Sequence, residues 1–480
     1  MGDAIERLAD RCLMPGFIGS EAPAWILRRA AGGLGSVCLY ARNVSSPQQL
    51  AALTSRLHSE NAGLVVAIDE EGGDVTRLEA KTGSSYPGNL ALGAAGDLEL
   101  TRSVARAMGA DLAAAGIDLD LAPVADVNSN PINPVIGVRS FGAQHGLVAA
   151  HTAAWVAGLQ RAGVAACAKH FPGHGATSID SHLALPVVDE DPHEGALEPF
   201  VAAIGAGVRA VMSAHIVVPS IDSMPATISA RIMTGLLRGE LGFEGVAVSD
   251  GLEMRAIADS VGIVEGTVLA LAAGCDLLCI GGGLAGEDIA LELRDAIVLA
   301  VRHGRLSEER LAEAVARVDA LIAWRSHQPA AHAPDSKIGL DAARRALIVD
   351  GPVTIRPDAV VAQLGSTPSQ AAGIVPWGLS APLMQLGAAV TDFELNGGGA
   401  DLDSLLSAAS GRSLVLVVRN LHRHPAHRAD VEALLARRSD AVVVEMGFPA
   451  CRPAGSAAYI ATHGAARVCG FAAAEALLGR

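Results

Sequence analysis

Short, uninterrupted apolar runs, each followed by a longer stretch of polar and apolar residues mixed at helical spacing, organise the chain as far as residue 281. The runs are LMPGFIG (13–19), GSVCLY (35–40), LVVAID (64–69), IDLDLAPVAD (117–126), VAACAKHF (164–171), VRAVMSAH (208–215), GVAVSD (245–250) and CDLLCIG (275–281). Residues that are apolar at successive rather than alternate positions suit strands covered on both faces, as in parallel sheets. Between them, LELTRSVARAMGADLAAAG (98–116) and VAAHTAAWVAGLQRAG (148–163) predict helices. Eight strand–helix units of this kind predict an α/β fold, the (β/α)8 TIM barrel.

The pattern changes after residue 327. QPAAHAPDSK (328–337) is rich in Pro, Ala and polar residues and predicts a linker. IGLDAARRALIVDG (338–351) then predicts a helix, followed by strand-like runs VVAQLG (360–365), SLVLVVRN (413–420), AVVVEMG (441–447) and ARVCGF (466–471), with helices such as RADVEALLARR between them. The expected layout is a barrel over 1–327, a linker over 328–337 and a smaller α/β sandwich domain over 338–480.

Charge narrows the partners. Lys and Arg number 36 against 51 Asp and Glu, a net charge of −15, which argues against nucleic acid or an anionic membrane surface, since both require a basic face. The N-terminal MGDAIERLADR carries acids and no apolar core, unlike a secretory signal, and the apolar stretch around 264–283 is broken by Glu265 and Asp276, which argues against a membrane span. Seven cysteines at irregular spacing predict reduced core thiols and a cytoplasmic protein.

The ends of the runs carry the chemistry. Asp69, Asp126, Lys169 with His170, His215 and Asp250 each close a different predicted strand, and in a barrel that is the face where active sites form. In AIDEEGGDVTRL (67–78), Asp69 and Arg77 are candidates to converge on one ligand, a carboxylate accepting sugar hydroxyls and a guanidinium donating to them; an ion pair holding the loop explains the segment equally well. Arg139 follows the Asn/Pro-rich loop NSNPINPV.

KHFPGHGATSIDSHLALPVVD (169–189) packs Lys169, His170, His174, Asp180 and His182 into one turn-rich segment. Cleavage of an acetal needs a proton donor at the leaving oxygen and a group that attacks or stabilises the anomeric carbon. A histidine serves as the first, its ordinary pKa of ~6.5 lying near working pH, if an anionic neighbour orients the ring. Asp180 and His182 supply that couple, and the glycines and proline upstream predict a mobile loop that closes over a sugar. Asp250, followed by Gly251, is the candidate nucleophile; Lys169 and His170 are candidates to hold sugar hydroxyls.

Two further motifs carry less. GGGLAG (281–286) matches the dinucleotide fingerprint but follows the eighth strand-like run, not the first of a doubly wound sheet. HRHPAHR (422–428) spaces three histidines between arginines without a carboxylate, which reads as a solvated turn. No cofactor and no metal are expected.

IDEEGGDVTRL, NPVIGVRSFG, KHFPGHGATSIDSHLALP, SAHI, PATIS and GFEGVAVSDGLEM, in that order, resemble glycoside hydrolase family 3 in its β-N-acetylglucosaminidase branch, over roughly residues 10–330. The resemblance implies a retaining exo-acting enzyme that releases N-acetylglucosamine from small saccharides such as muropeptide or chitobiose fragments. Asp250 would be its nucleophile, His182 its acid/base supported by Asp180, and Asp69, Arg77, Arg139, Lys169 and His170 its sugar contacts, with His215 of the SAHI segment beside them. The chain departs from single-domain members in having Gly251 where a second acid is common, and in carrying residues 338–480, which resemble the C-terminal domain of two-domain members. Three alternatives stay open: a phosphorylase of the same family, since an imidazole acid/base does not repel phosphate; a metal-dependent barrel hydrolase on His170, His174, His182 and His215; and a sugar-binding protein without turnover.

Overall fold

Each of the eight apolar runs contains a strand in the computed structural model, which describes residues 2–327, 337–365, 369–397, 399 and 401–480. The strands are β1 (Leu13–Pro15), β2 (Ser36–Leu39), β3 (Val65–Ile68), β4 (Leu119–Asp120), β5 (Ala165–Phe171), β6 (Ala210–Ser213), β7 (Val246–Val248) and β8 (Leu278–Ile280). β2 to β7 form one six-stranded sheet in sequence order, every pairing parallel. β8 pairs in parallel with β1, and a parallel bridge between Val248 and Leu277 carries the order on from β7. All eight strands are buried at every residue, the reason they read as continuous apolar runs. Alternate residues point inward: Met14, Cys38, Val65, Leu119, Ala165 and Met212 share one core with their counterparts on the other strands. The opposite set meets the helices, among them Leu98–Ala114 and His145–Arg161, in a TIM-barrel-like α/β arrangement. Because the strands are parallel, their C-terminal ends face one way.

The chain resolves into two compact units. The first holds residues 1–70, 101–136 and 143–334; the second holds 71–100, 137–142 and 335–480. Arg77 and Arg139 thus belong to the second unit, whereas the other candidate site residues belong to the first. Most of the predicted linker, residues 328–336, lies outside the described residues.

The second unit has its own six-stranded sheet: β9 (Ile348–Asp350), β10 (Val360–Leu364), β11 (Thr391–Leu395), β12 (Leu414–Val418), β13 (Val442–Glu445) and β14 (Ala458–Ala461). Their order is β9-β14-β13-β12-β10-β11, parallel except for the β9–β14 pair. Val361, Val415 and Val444 pack on one face against the helix Arg467–Leu477; Ala362, Leu416 and Val443 pack on the other against Pro425–Arg437. The run ARVCGF, expected as a strand, is the first part of that Arg467–Leu477 helix. Its alanines continue through FAAAEALL and favour helix, and Val468, Ala472 and Ala473 fall on one buried face. No described helix is long and apolar enough to cross a membrane.

Candidate active site

The strand ends of the first unit supply the site. Lys169, in β5, donates from Nζ to Asp69 Oδ1 at 2.6 Å just beyond β3, with the ammonium almost wholly buried. Behind this pair, Asp120 at the end of β4 accepts the backbone N–H of Glu70 at 2.9 Å and so fixes the peptide that follows Asp69. Burial pushes the Asp120 carboxyl well above the carboxylate range. Nothing in the sequence singled out Asp120; its one signal is the alternation of IDLDLAP, which sets it with Asp118 and Ala122 on the face opposite Leu119 and Leu121.

Asp126, also fully buried, anchors two histidines. Its Oδ2 accepts from His170 Nδ1 at 2.7 Å and its Oδ1 accepts the His174 backbone N–H at 2.6 Å. Burial would raise its pKa, but the His170 imidazole and these hydrogen bonds win and lower it. A carboxylate at Nδ1 leaves the His170 Nε2 edge to define the ring's chemistry.

The couple expected between Asp180 and His182 is present. His182 Nδ1 lies 2.7 Å from Asp180 Oδ1, which also accepts the His182 backbone N–H at 2.9 Å. The contact arises in a tight turn, with Leu183 and Ala184 donating to the Asp180 carbonyl. The ring and backbone N–H of His182 hold the Asp180 carboxyl below its ordinary value against partial burial.

The first half of this loop is fastened rather than mobile. Asn133 Nδ2 donates to the carbonyls of His174 and Gly175, each at 3.0 Å. A Cβ on Gly175 would sit 1.7 Å from the Val127 carbonyl oxygen, and Gly173 adopts φ +129°. These glycines therefore serve close approach and a left-handed turn. His174, fully buried, is held at Nδ1 by Thr177 Oγ1 at 2.8 Å and at Nε2 by Ser181 Oγ at 3.0 Å, and burial pushes its pKa down to about 4.

Asp250 stands two residues beyond β7, half-buried, accepting the Gly251 N–H at 2.8 Å. Burial alone would raise its pKa, but the imidazoles of His215, His170 and His182 together with the Gly251 amide hold it down to about 2. A carboxylate and three rings, drawn from β5, from the residues after β6 and β7 and from the 173–182 loop, thus act electrostatically on one another. His215 itself is wholly buried, with Nδ1 2.7 Å from Thr227 Oγ1 and Nε2 2.9 Å from the Gly251 carbonyl oxygen. Both ring nitrogens meet the protein, and His215 braces the peptide after Asp250. Burial lowers its pKa.

Arg77 and Arg139 are described within the second unit. Arg139 forms a two-pronged ion pair with Glu71, at 2.9 Å from Nε and 2.8 Å from Nη2, both side chains being buried. Arg77 donates to the carbonyls of Ala371 and Ala372 at 2.8 and 3.3 Å.

The glycine-rich segment after β8 has a different task from the one its fingerprint suggests. The N–H groups of Gly281, Gly282 and Gly283 all point at Glu253 Oε1, two of them at 3.0 and 3.3 Å. Amides that would cradle a pyrophosphate already hold a carboxylate. Each of the four histidines grouped as a metal set has its own protein partner, and among the described residues no three His, Cys, Asp or Glu side chains are arranged to hold a metal ion. In HRHPAHR the His424 and His427 rings stack at 5.2 Å.

Comparison with known proteins agrees with the geometry. Residues 18–321 match the glycosyl hydrolase family 3 N-terminal domain. Beta-hexosaminidase A of Pseudoalteromonas piscicida is 37% identical over 318 residues, 59% of this chain and 52% of that protein, so the chain spans about half the length of this relative. A beta-hexosaminidase of Alkalilimnicola ehrlichii is 40% identical over 259 residues, 52% of this chain and 73% of that one. The solved structure of a glycoside hydrolase family 3 beta-N-acetylglucosaminidase from Paenibacillus sp. str. FPU-7 is 33% identical, with a TM-score of 0.90 over 99% of this chain and 96% of its own. A parallel barrel-like sheet presenting an ionised aspartate among histidines at its C-terminal face, joined to these matches, makes the chain a member of glycosyl hydrolase family 3.

Proposed function

We propose that the protein is a retaining exo-β-N-acetylglucosaminidase, working at the mouth of a closed (β/α)8 barrel on small saccharides that end in N-acetylglucosamine. The observation that carries the reading is Asp250, a carboxylate ionised at working pH and held in the field of His182, whose own ring is oriented by Asp180. In the first step an Asp250 oxygen bonds to the anomeric carbon while the bond to the leaving oxygen breaks. That oxygen takes the proton from His182 Nε2, and the Asp180 carboxylate stabilises the imidazolium that gives it up. In the second step water attacks the same carbon, its proton returns to His182, and the bond to Asp250 breaks, restoring both groups. Two inversions give net retention. Lys169, Asp69 and His170 hold the hydroxyls of the terminal sugar. The names of the relatives, beta-hexosaminidase and beta-N-acetylglucosaminidase, support the choice of sugar.

The test is hydrolysis of an aryl N-acetyl-β-glucosaminide beside the matching glucoside, each with and without phosphate. Release of β-configured N-acetylglucosamine, with the glucoside turned over far more slowly, is the expected result. A sugar 1-phosphate appearing with phosphate assigns the second step to phosphorolysis. Near-normal turnover by Asp250→Asn removes the nucleophile from the proposal.

A further inference from the structure

The second unit contains a cleft of about 1020 Å³ that shares no residue with the site above. The chain has few aromatic residues, 8 Phe, 4 Trp and 3 Tyr in 480, yet Trp377, Phe393 and Phe471 all line this cleft and all three are only half-buried. Trp377 packs partly on the core of one sheet face and Phe393 on that of the other, and Phe471 stays partly open beside Trp377.

The backbone is shaped to bring them there. Gly378, at φ +122°, approaches so closely that a Cβ would sit 2.1 Å from Gln363 Oε1, and Gly470 packs where a Cβ would sit 2.7 Å from the Gly378 carbonyl oxygen. These two approaches seat the Trp377 loop against the helix that carries Phe471 and beside the Gln363 amide. The Arg419 guanidinium, 5.4 Å from the Trp377 ring centroid, steadies the ring.

The polar lining identifies the ligand class. Lys81 and Arg467 balance Asp392 and Glu394, so the cleft offers no surplus charge for a phosphate or a nucleotide. Arg467 is already engaged by Glu79 at 2.9 Å, and among the described residues the side chains of Lys81 and Glu394 have no hydrogen bond or ion pair. Gln363 and Gln385 add neutral donors and acceptors. Aromatic faces beside carboxylates and amides match a pyranose, whose C–H face packs on a ring while its hydroxyl rim needs acceptors and donors. The volume lies at the upper end of the roughly 300–1,000 Å³ of small-molecule pockets, enough for more than one sugar ring. We propose that the cleft bordered by Trp377 and Phe471 is an accessory binding site for a neutral oligosaccharide. It rests on the glycosidase reading only in the choice of sugar to try first.

The experiment is calorimetry on the full chain carrying Asp250→Asn, titrated with a β-1,4-linked N-acetylglucosamine oligomer and, separately, a cello-oligomer. Two molecules of at least one oligomer should bind per chain. Adding Glu394→Gln, on the exposed edge strand β11, or Trp377→Ala should weaken the second molecule roughly tenfold or more and leave the first unchanged. Because Trp377 also packs on the core, its variant counts only with an unaltered melting temperature; Glu394→Gln carries no such condition. One molecule per chain with both oligomers, or a second molecule untouched by Glu394→Gln and by a folded Trp377→Ala, overturns the site. So does binding of an extended peptide along β11 in place of sugar. Failure of the proposed reaction shows separately, as absent turnover by the unsubstituted chain.

Discussion

His174 Nε2 lies 3.0 Å from the hydroxyl of Ser181, the residue between Asp180 and His182. A neutral ring satisfies both of its contacts: Nδ1–H donates to Thr177 Oγ1, whose own proton goes to the His174 carbonyl, and Nε2 accepts from Ser181. A buried imidazole thus struts the turn that orients the proposed acid/base. His174→Ala removes two buried hydrogen bonds, each worth roughly 1 kcal/mol, and unfastens that turn. The expected outcome is a fall in kcat of at least about tenfold with KM little changed and a displaced pH profile, while Ser181→Ala gives the smaller loss. Steady-state kinetics of the two variants across pH check it; a wild-type profile in His174→Ala would make the contact incidental.

The same ring gives the protein a pH dependence. Its pKa in the fold is about 4, below the ordinary value near 6.5 that the unfolded chain has. Between these values the unfolded chain binds the proton and the fold does not, so stability is full above pH ~6.5 and falls as pH drops through about 4. A difference of that size corresponds to about 3 kcal/mol. Melting temperatures from pH 7 to 4 should fall less steeply for His174→Asn than for the unsubstituted chain. Parallel curves would mean that His174 does not carry this acid sensitivity.

Gly175 sets the position of the whole loop. A methyl group there meets the Val127 carbonyl oxygen at 1.7 Å, so Gly175→Ala forces the 173–177 backbone away from the Asn133 amide that fastens it. Turnover should collapse by roughly two orders of magnitude or more, since about 1 Å of misplacement costs that much, with the barrel's circular dichroism unchanged. Activity within a few-fold of the original would show that the loop finds its place without that contact.

Much of this architecture was legible in the sequence, for a physical reason. Strands covered on both faces write continuous apolar runs, and all eight barrel strands did so. β11 did not: its pattern TDFEL has one buried residue because it lies at a sheet edge. ARVCGF reads as a strand because these residues are largely apolar, and the helical periodicity emerges only over the following turns. The contact between Asp180 and His182 and the strand-end position of Asp250 were visible through local spacing. Asp120 and Glu253 were not, because their partners are backbone N–H groups 50 and 28 or more residues away, and such contacts leave no local pattern. The loop glycines were legible as glycines but not in their role, since close approach and flexibility demand the same residue.

The Lys169–Asp69 pair separates a buried charge from a substrate contact. With Lys169 3% and Asp69 21% exposed, Asp69→Asn leaves a buried ammonium short of its carboxylate, a change that costs roughly 3–5 kcal/mol when fully buried and less here because Asp69 reaches solvent. Lys169→Met alone strands the acid more mildly, and the double variant should cost less than the two singles added. Denaturant unfolding of the four proteins gives the coupling. KM for the aryl glycoside should rise in every variant; a KM unchanged in Asp69→Asn would remove the pair from sugar binding.

Asp276 tests the division of labour between the two ends of the barrel. It precedes β8, on the N-terminal side, and is wholly buried, with Arg238 and Arg310 at 2.5 and 2.6 Å, Arg317 at 3.2 Å and the Ala247 N–H at 2.9 Å. Asp250 follows β7, on the C-terminal side, where its charge faces histidines instead of arginines. Residues at the first end of such a fold serve stability and those at the second serve chemistry. Asp276→Asn strips the negative charge from three guanidinium groups and should destabilise the protein by roughly 3–5 kcal/mol, while the folded fraction keeps its kcat/KM. Asp250→Asn should do the reverse, losing turnover by orders of magnitude with little change in melting temperature. Unfolding curves and kinetics on both variants decide it: a catalytic defect in folded Asp276→Asn would mean that the two ends of the barrel are coupled.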